Sequence, residues 1–90
     1  MNTIFLLAAR HDAQPVIPVE VVCKDYFRHL TVDKFIRKVS LGEIALPLVR
    51  IESSQKSAKG VHLNDLAAYI DKQHQAAQKE LSQMIGFPGA

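Results

Sequence analysis

Two short amphipathic segments, separated by only four residues, restrict the fold more than any other feature of this sequence. The first places apolar side chains at the i, i+3, i+4, i+7 and i+8 spacing of one helix face: Val19, Val22, Cys23, Tyr26 and Phe27. After residues 28–31, the second segment repeats helical spacing with Val32, Phe35, Ile36 and Val39. Two helices joined by so short a turn predict a helix-turn-helix, although the same pattern also occurs in small helical bundles.

The residue types at the ends of these segments predict where each helix begins and ends. Proline is common at the first position of a helix, because the amide proton that it lacks would be unpaired there. Pro18 therefore predicts the start of the first helix of this pair. The hydroxyl of Thr31 can cap the second helix. Gly42 can end that helix in the left-handed conformation.

The second half of the chain predicts a β-hairpin followed by a long helix. Residues 44–51 include a short apolar run in which Pro47 suits an edge strand, and residues 61–63 resume an extended alternation. The polar, serine-rich residues 52–60 would form a basic tip between the strands. Asn64 would cap the long helix. Its apolar stripe consists of Leu66, Ile70, His74, Ala77, Leu81 and Met84.

Together these elements predict a mainly α fold with a small β-hairpin. The order is that of a winged helix-turn-helix (excisionase-like) with a long C-terminal helix. Residues 12–15 are typical of a connector, and residues 2–10 fit either a short helix or an edge strand. Because 90 residues are too few for two separate cores, we expect one domain over residues 1–85 and a frayed tail over residues 86–90.

Composition and motifs exclude several classes of protein. No apolar run is long enough to span a membrane, and the apolar start lacks the basic flank of a signal peptide, so we expect a cytoplasmic protein. The single cysteine, Cys23, excludes an internal disulfide and a multi-cysteine zinc site. The histidines lack metal-ligand spacing, and glycine-rich phosphate motifs are absent. We therefore expect neither an enzyme nor a bound cofactor or metal.

The charge distribution along the chain favours a polyanionic partner. Residues 24–59 hold eight bases and four acids, a net charge of +4, whereas the two flanks together carry −2. A basic centre of this kind is typical of nucleic-acid binding, although such an asymmetry also arises by chance in a short chain.

The candidate DNA-binding residues lie on the second helix, in the turn before it and on the hairpin. Lys34, Arg37 and Lys38 recur at i, i+3 and i+4, so that one helix face could enter the major groove. Arg28 and His29 would contact the backbone nearby. The hairpin would contribute phosphate or minor-groove contacts. Its candidate residues are Arg50, Ser54, Gln55, Lys56, Ser57 and Lys59. The alternative is that these side chains form an ordinary solvated surface.

The long helix predicts a dimer. About 20 residues span roughly 30 Å, as much as a small domain is wide. The second half of the helix therefore needs cover for its apolar stripe. A partner copy pairing through residues 66–85 would provide that cover, and packing back on residues 2–10 is the alternative. We favour the homodimer.

Six stretches of the sequence together resemble those of one known family. They are residues 1–7 (MNTIFLL), 16–18 (VIP), 25–27 (DYF), 48–50 (LVR), 54–61 (SQKSAKGV) and 65–71 (DLAAYID). These stretches are similar to the pyocin activator protein family, also called PrtN. The SQKSAKG run is the most specific, because no general rule of folding requires it. The resemblance implies a bacterial or prophage DNA-binding activator that switches on pyocin or related phage-tail and lysis genes once DNA damage removes a repressor.

The leading hypothesis is therefore a sequence-specific transcriptional activator that binds double-stranded promoter DNA and acts on RNA polymerase. A phage regulatory module that binds a protein through the long helix is the second hypothesis. An excisionase-like architectural protein that bends DNA is the third. The sequence does not separate an activator from an architectural factor.

Overall fold

A computed structural model of the chain describes residues 2–52 and 58–85. The described part is mainly helical, with a small antiparallel sheet and a long C-terminal helix. Its elements in chain order are α1 (Thr3–Arg10), β1 (Val16–Pro18), α2 (Val19–Tyr26), α3 (Val32–Ser40), β2 (Val49–Arg50), β3 (Lys59–His62) and α4 (Leu63–Ile85).

The predicted helix pair is confirmed as α2 and α3. Val22 and Phe35 are fully buried, as the helical spacing requires, and the rings of Phe27 and Phe35 pack with their centroids 4.8 Å apart. Thr31 caps α3 as predicted, because its hydroxyl accepts a hydrogen bond of 3.2 Å from the amide of Lys34. Gly42 follows α3 with φ at +77°, the left-handed conformation that glycine adopts without a steric penalty.

The prediction for Pro18 is wrong by one position. Pro18 ends β1 with extended torsions (φ −55°, ψ 141°) and is the N-cap of α2, which begins at Val19. The sequence analysis did not predict β1 at all. The strand has three residues, of which only the central Ile17 is buried. Three residues are too few to show an alternating pattern in the sequence.

The predicted hairpin is confirmed as β2 and β3, but it belongs to a three-stranded sheet in the order β1-β3-β2. The first strand is shorter than predicted, because β2 covers only Val49–Arg50 and Pro47 lies in irregular chain. In the same irregular segment, Leu46 turns inward and is 2% exposed. This segment therefore contributes to the core without strand pairing.

Lys59 and Gly60 lie in β3 and not in the loop where the sequence placed them. β1 approaches β3 so closely at Gly60 that this position requires glycine. A Cβ atom on Gly60 would lie 2.5 Å from Cγ1 of Val16 and 2.8 Å from the carbonyl oxygen of Ile17. Because the carbonyl oxygen of Ile17 belongs to the backbone and cannot turn aside, this position has no room for a side chain.

Residues 2–10, which the sequence left undecided, form α1 from Thr3. The side chain of Asn2 caps this helix by accepting from the amide of Ile4, and Leu7 faces the core. α1 packs against the first half of α4, where the Thr3 hydroxyl donates a hydrogen bond to the Asp71 carboxylate.

The start and the far end of α4 differ from each other in their surroundings. α4 begins at Leu63, and Nδ1 of His62 accepts a 3.0 Å hydrogen bond from the amide of Asn64, so the predicted cap by Asn64 is wrong. Leu66 is fully buried, whereas residues 71–81 are all exposed. The predicted tail, residues 86–90, lies outside the described residues.

Candidate nucleic-acid interface

The outward face of α3 carries the first group of candidate DNA-binding residues. The fully buried ring of Phe35 holds the helix against the core, which leaves Lys34 and Arg37 exposed to solvent. Lys38 differs from both, because its ammonium lies 3.6 Å from Oε1 of Glu43 in the turn after the helix. Lys34 and Arg37 are therefore the cations of α3 that no described carboxylate approaches within 4 Å.

The turn between α2 and α3 holds the second group. Arg28 and His29 are both exposed there. The turn is supported from inside by Cys23, whose buried thiol donates a 3.2 Å hydrogen bond to the carbonyl oxygen of Leu30. The sequence placed Cys23 on the apolar face of α2 but gave no sign of the hydrogen bond.

The base of the hairpin brings two candidate cations together. Arg50 on β2 and Lys59 on β3 are register partners, directly opposite each other in the antiparallel pair. Side chains at such positions share one face of the sheet with Cβ atoms about 5 Å apart, and like charges there are destabilising. Among the described residues, neither cation has a carboxylate within 4 Å. An anion bound at this face would relieve their repulsion.

Four of the candidate hairpin residues lie outside the part of the chain that the structure describes. They are Ser54, Gln55, Lys56 and Ser57. The strands that lead to and from this segment are described, and the amide of Ile51 donates to the carbonyl of Ala58 at 3.4 Å. The predicted contacts of these four residues remain predictions.

Sequence analysis missed a polar cluster that joins the end of α1 to α2. His11 is buried, and its Nε2 lies 2.9 Å from the hydroxyl oxygen of Tyr26. Beside it, Nη2 of Arg10 lies 3.3 Å from Oδ2 of Asp25. Burial is the main reason that the pKa of Tyr26 lies above its ordinary value, and the negative charge of Asp25 adds to the effect. The phenol is therefore neutral near pH 7.

The described residues contain neither a metal-binding cluster nor a membrane-spanning helix. Within residues 2–52 and 58–85, no group of three or more histidine, cysteine, aspartate or glutamate side chains is arranged to hold a metal ion. In the same residues, no helix combines the length and the apolar character that crossing a membrane requires.

Comparison with known proteins identifies a family. The model of the family described as pyocin activator protein PrtN matches residues 3–77 of the 90-residue chain. The resemblance seen in the sequence is confirmed, and the match extends past Asp71 into the exposed part of α4. No curated protein and no solved structure matches the chain.

Proposed function

Because the chain belongs to the pyocin activator protein PrtN family, we propose that it binds double-stranded promoter DNA and activates pyocin-type genes in the cytoplasm. The family is one of regulatory proteins and not of enzymes, and it indicates a role in the regulation of pyocin genes. DNA binding, sequence specificity and action on RNA polymerase are the proposed steps beyond that role.

The observation that carries the DNA-binding proposal is the direct opposition of Arg50 and Lys59. An ordinary solvated surface gives no reason to place two cations opposite each other, since their repulsion lowers the stability of the hairpin. A polyanion removes that cost when it binds. DNA supplies closely spaced phosphates, and lysine and arginine are the usual partners of phosphate in proteins.

We assign the described elements to a winged helix-turn-helix domain over residues 1–85. Support comes from their order, in which two helices and a short turn are followed by a hairpin with cations at its base. The nine residues of α3 span about 13 Å. An α-helix with its side chains is about 10–12 Å in diameter, so α3 fits a major groove about 12 Å wide, where Arg37 could read guanine. Lys34 would lie beside it.

The remaining candidates would then contact the sugar-phosphate backbone. Lys38 would reach phosphate only if it exchanged Glu43 for that partner, so it contributes less than Arg37. Arg28 and His29 would contact the strand beside the turn, and the hairpin cations would contact the strand on the far side of α3. Ser54, Gln55, Lys56 and Ser57 would extend the contacts of the hairpin.

The direct test is fluorescence anisotropy of the full chain with a labelled promoter fragment from an adjacent pyocin-type operon and with a scrambled fragment. We expect binding to the promoter at least about 10³-fold tighter than to the scrambled sequence. The logarithm of the affinity should fall linearly with the logarithm of salt concentration, by about 0.9 for each phosphate contact. Weak and equal binding to both fragments would reject the proposal.

The exposed half of α4 supports a homodimer through residues 66–85. Leu81, Met84 and Ile85 are 56%, 82% and 51% exposed, although all three are large and apolar. A helical period places them near Ala77 on one stripe, where a second copy of the same helix could cover them. A two-fold dimer would also present two α3 helices to DNA, as paired half-sites require.

Leu81→Asp should shift the protein from dimer to monomer in sedimentation equilibrium at micromolar concentration. The matched control is Gln83→Asp, which adds the same charge on the opposite side of the helix. Promoter affinity should fall with Leu81→Asp because the second half-site contact is lost. A wild-type monomer, or a dimer that survives Leu81→Asp, would contradict the assignment.

A protein-interaction module is the second candidate function, since the same exposed stripe on α4 could bind another protein. The two functions differ in the effect of Leu81→Asp. Loss of a protein partner with unchanged DNA affinity would favour the interaction module.

A further inference from the structure

A concave pocket of about 410 Å³ opens between the end of α1 and the C-terminal half of α2. Its walls contain three cationic side chains, together with one carboxylate and one phenol. They belong to Arg10, Lys24, Arg28, Asp25 and Tyr26. The sequence analysis assigned a DNA-binding role to Arg28 alone, because Arg10 is far from it in the sequence and reaches α2 through its ion pair with Asp25.

The positively charged side chains of the pocket are exposed to solvent. The Asp25 side chain is 15% exposed, whereas that of its ion-pair partner Arg10 is 65% exposed. The carboxylate therefore lies below the guanidinium and neutralises one of the three cations. Lys24 and Arg28 are both exposed, and no described carboxylate lies within 4 Å of either. The lining thus has a net charge of about +2, counted from its side chains.

Tyr26 adds no negative charge to this pocket. Burial and the nearby Asp25 raise the pKa of its hydroxyl, so the ring stays neutral, and the hydroxyl is engaged with Nε2 of His11. The free hydrogen-bond donors are therefore those of the guanidinium groups and the ammonium. Several converging donors and a net positive charge are what a phosphate oxyanion requires.

We propose that this pocket binds the phosphodiester backbone of the DNA, with Lys24 and Arg28 each pairing with one phosphate and with Arg10, oriented by Asp25, as a further ligand. The inference rests on the proposed DNA-binding function and deepens it. Arg28 belongs both to the pocket and to the turn that leads into α3. When α3 lies in the major groove, one sugar-phosphate backbone of the DNA therefore lies beside this turn.

Lys24→Gln tests the pocket without disturbing the Arg10–Asp25 ion pair. The measurement is anisotropy of the full chain with promoter and scrambled DNA over a salt series. We expect the salt slope to fall by about one, and affinity for the two fragments to fall by similar factors, because a phosphate contact carries no sequence information. The double variant Lys24→Gln/Arg28→Gln should lower the slope by about two.

Lys79→Gln is the matched control, since it removes the same charge from an exposed position on α4. It should leave the slope unchanged. A Lys24→Gln slope equal to that of the wild type would overturn the pocket proposal while leaving DNA binding intact. If the wild type bound neither fragment, the proposed function itself would fail.

A titration with inorganic phosphate, followed by NMR of the backbone amides, separates a DNA contact from a site for free phosphate. If the pocket is a DNA contact, the amide chemical shifts around it should change only at millimolar phosphate concentrations. Sodium chloride at equal ionic strength should not produce these changes. Micromolar phosphate binding that Lys24→Gln abolishes, with an unchanged DNA salt slope, would overturn the backbone assignment in favour of a free anion.

Discussion

Arg37→Glu should lower the affinity for promoter DNA by about 100-fold or more. Arg37 is exposed on α3, and no described carboxylate lies within 4 Å of its guanidinium. A bidentate contact between arginine and guanine contributes about 1–3 kcal/mol of discrimination. The variant removes that contact and places a carboxylate beside the phosphates. Since about 1.4 kcal/mol corresponds to tenfold in affinity, the combined loss reaches two orders of magnitude.

Anisotropy at fixed low salt measures this loss, and circular dichroism verifies that the variant is folded. Glutamate forms helices well, but a negative charge near the C-terminus of α3 costs about 0.3–1 kcal/mol through the helix dipole. That cost is small against the expected effect on binding. The control Lys79→Glu changes the net charge equally on exposed α4 and should reduce affinity only slightly. Equal losses for both variants would mean that α3 does not lie against DNA.

The helices α2, α3 and α4 were predictable because their signals are local, whereas the sequence left α1 undecided. Thr31 caps α3 through the amide three residues later, and Phe35 is buried through spacing within its own helix. The errors have two sources, which are contacts between distant segments and the conformation of individual side chains. β1 exists because Ile17 pairs with Val61, and this partner lies far along the chain. The cap of α4 by His62 depends on a side-chain conformation that the residue type alone does not specify.

In the candidate interface, too, some features follow from the local sequence and others depend on contacts between distant segments. Exposure of Lys34 and Arg37 follows from the period of α3, so the sequence placed both on the surface. The opposition of Arg50 and Lys59 depends on strand register, and a slip of one residue would separate them. The pocket beside Arg28 depends on the ion pair that joins Arg10 at the end of α1 to Asp25 on α2, for which periodicity supplies no information.

Replacing the ring that anchors α3 should have the largest effect on stability. Phe35 has no exposed surface, and its ring packs 4.8 Å from that of Phe27, centroid to centroid. Phe35→Ala removes the buried ring and leaves a cavity, which costs about 3–5 kcal/mol. Domains of this size have total stabilities of about 5–15 kcal/mol, so the variant should unfold at a much lower urea concentration.

Urea denaturation followed by circular dichroism measures this change. Leu41→Ala is the control, because Leu41 is 64% exposed just after α3 and should change stability by less than about 0.5 kcal/mol. A loss below about 1 kcal/mol for Phe35→Ala would mean that α3 is not anchored through this ring. Promoter binding by Phe35→Ala should fall in proportion to the unfolded fraction, whereas Arg37→Glu should lose binding while fully folded. Comparing the two variants therefore separates the anchoring of α3 from its contact with DNA.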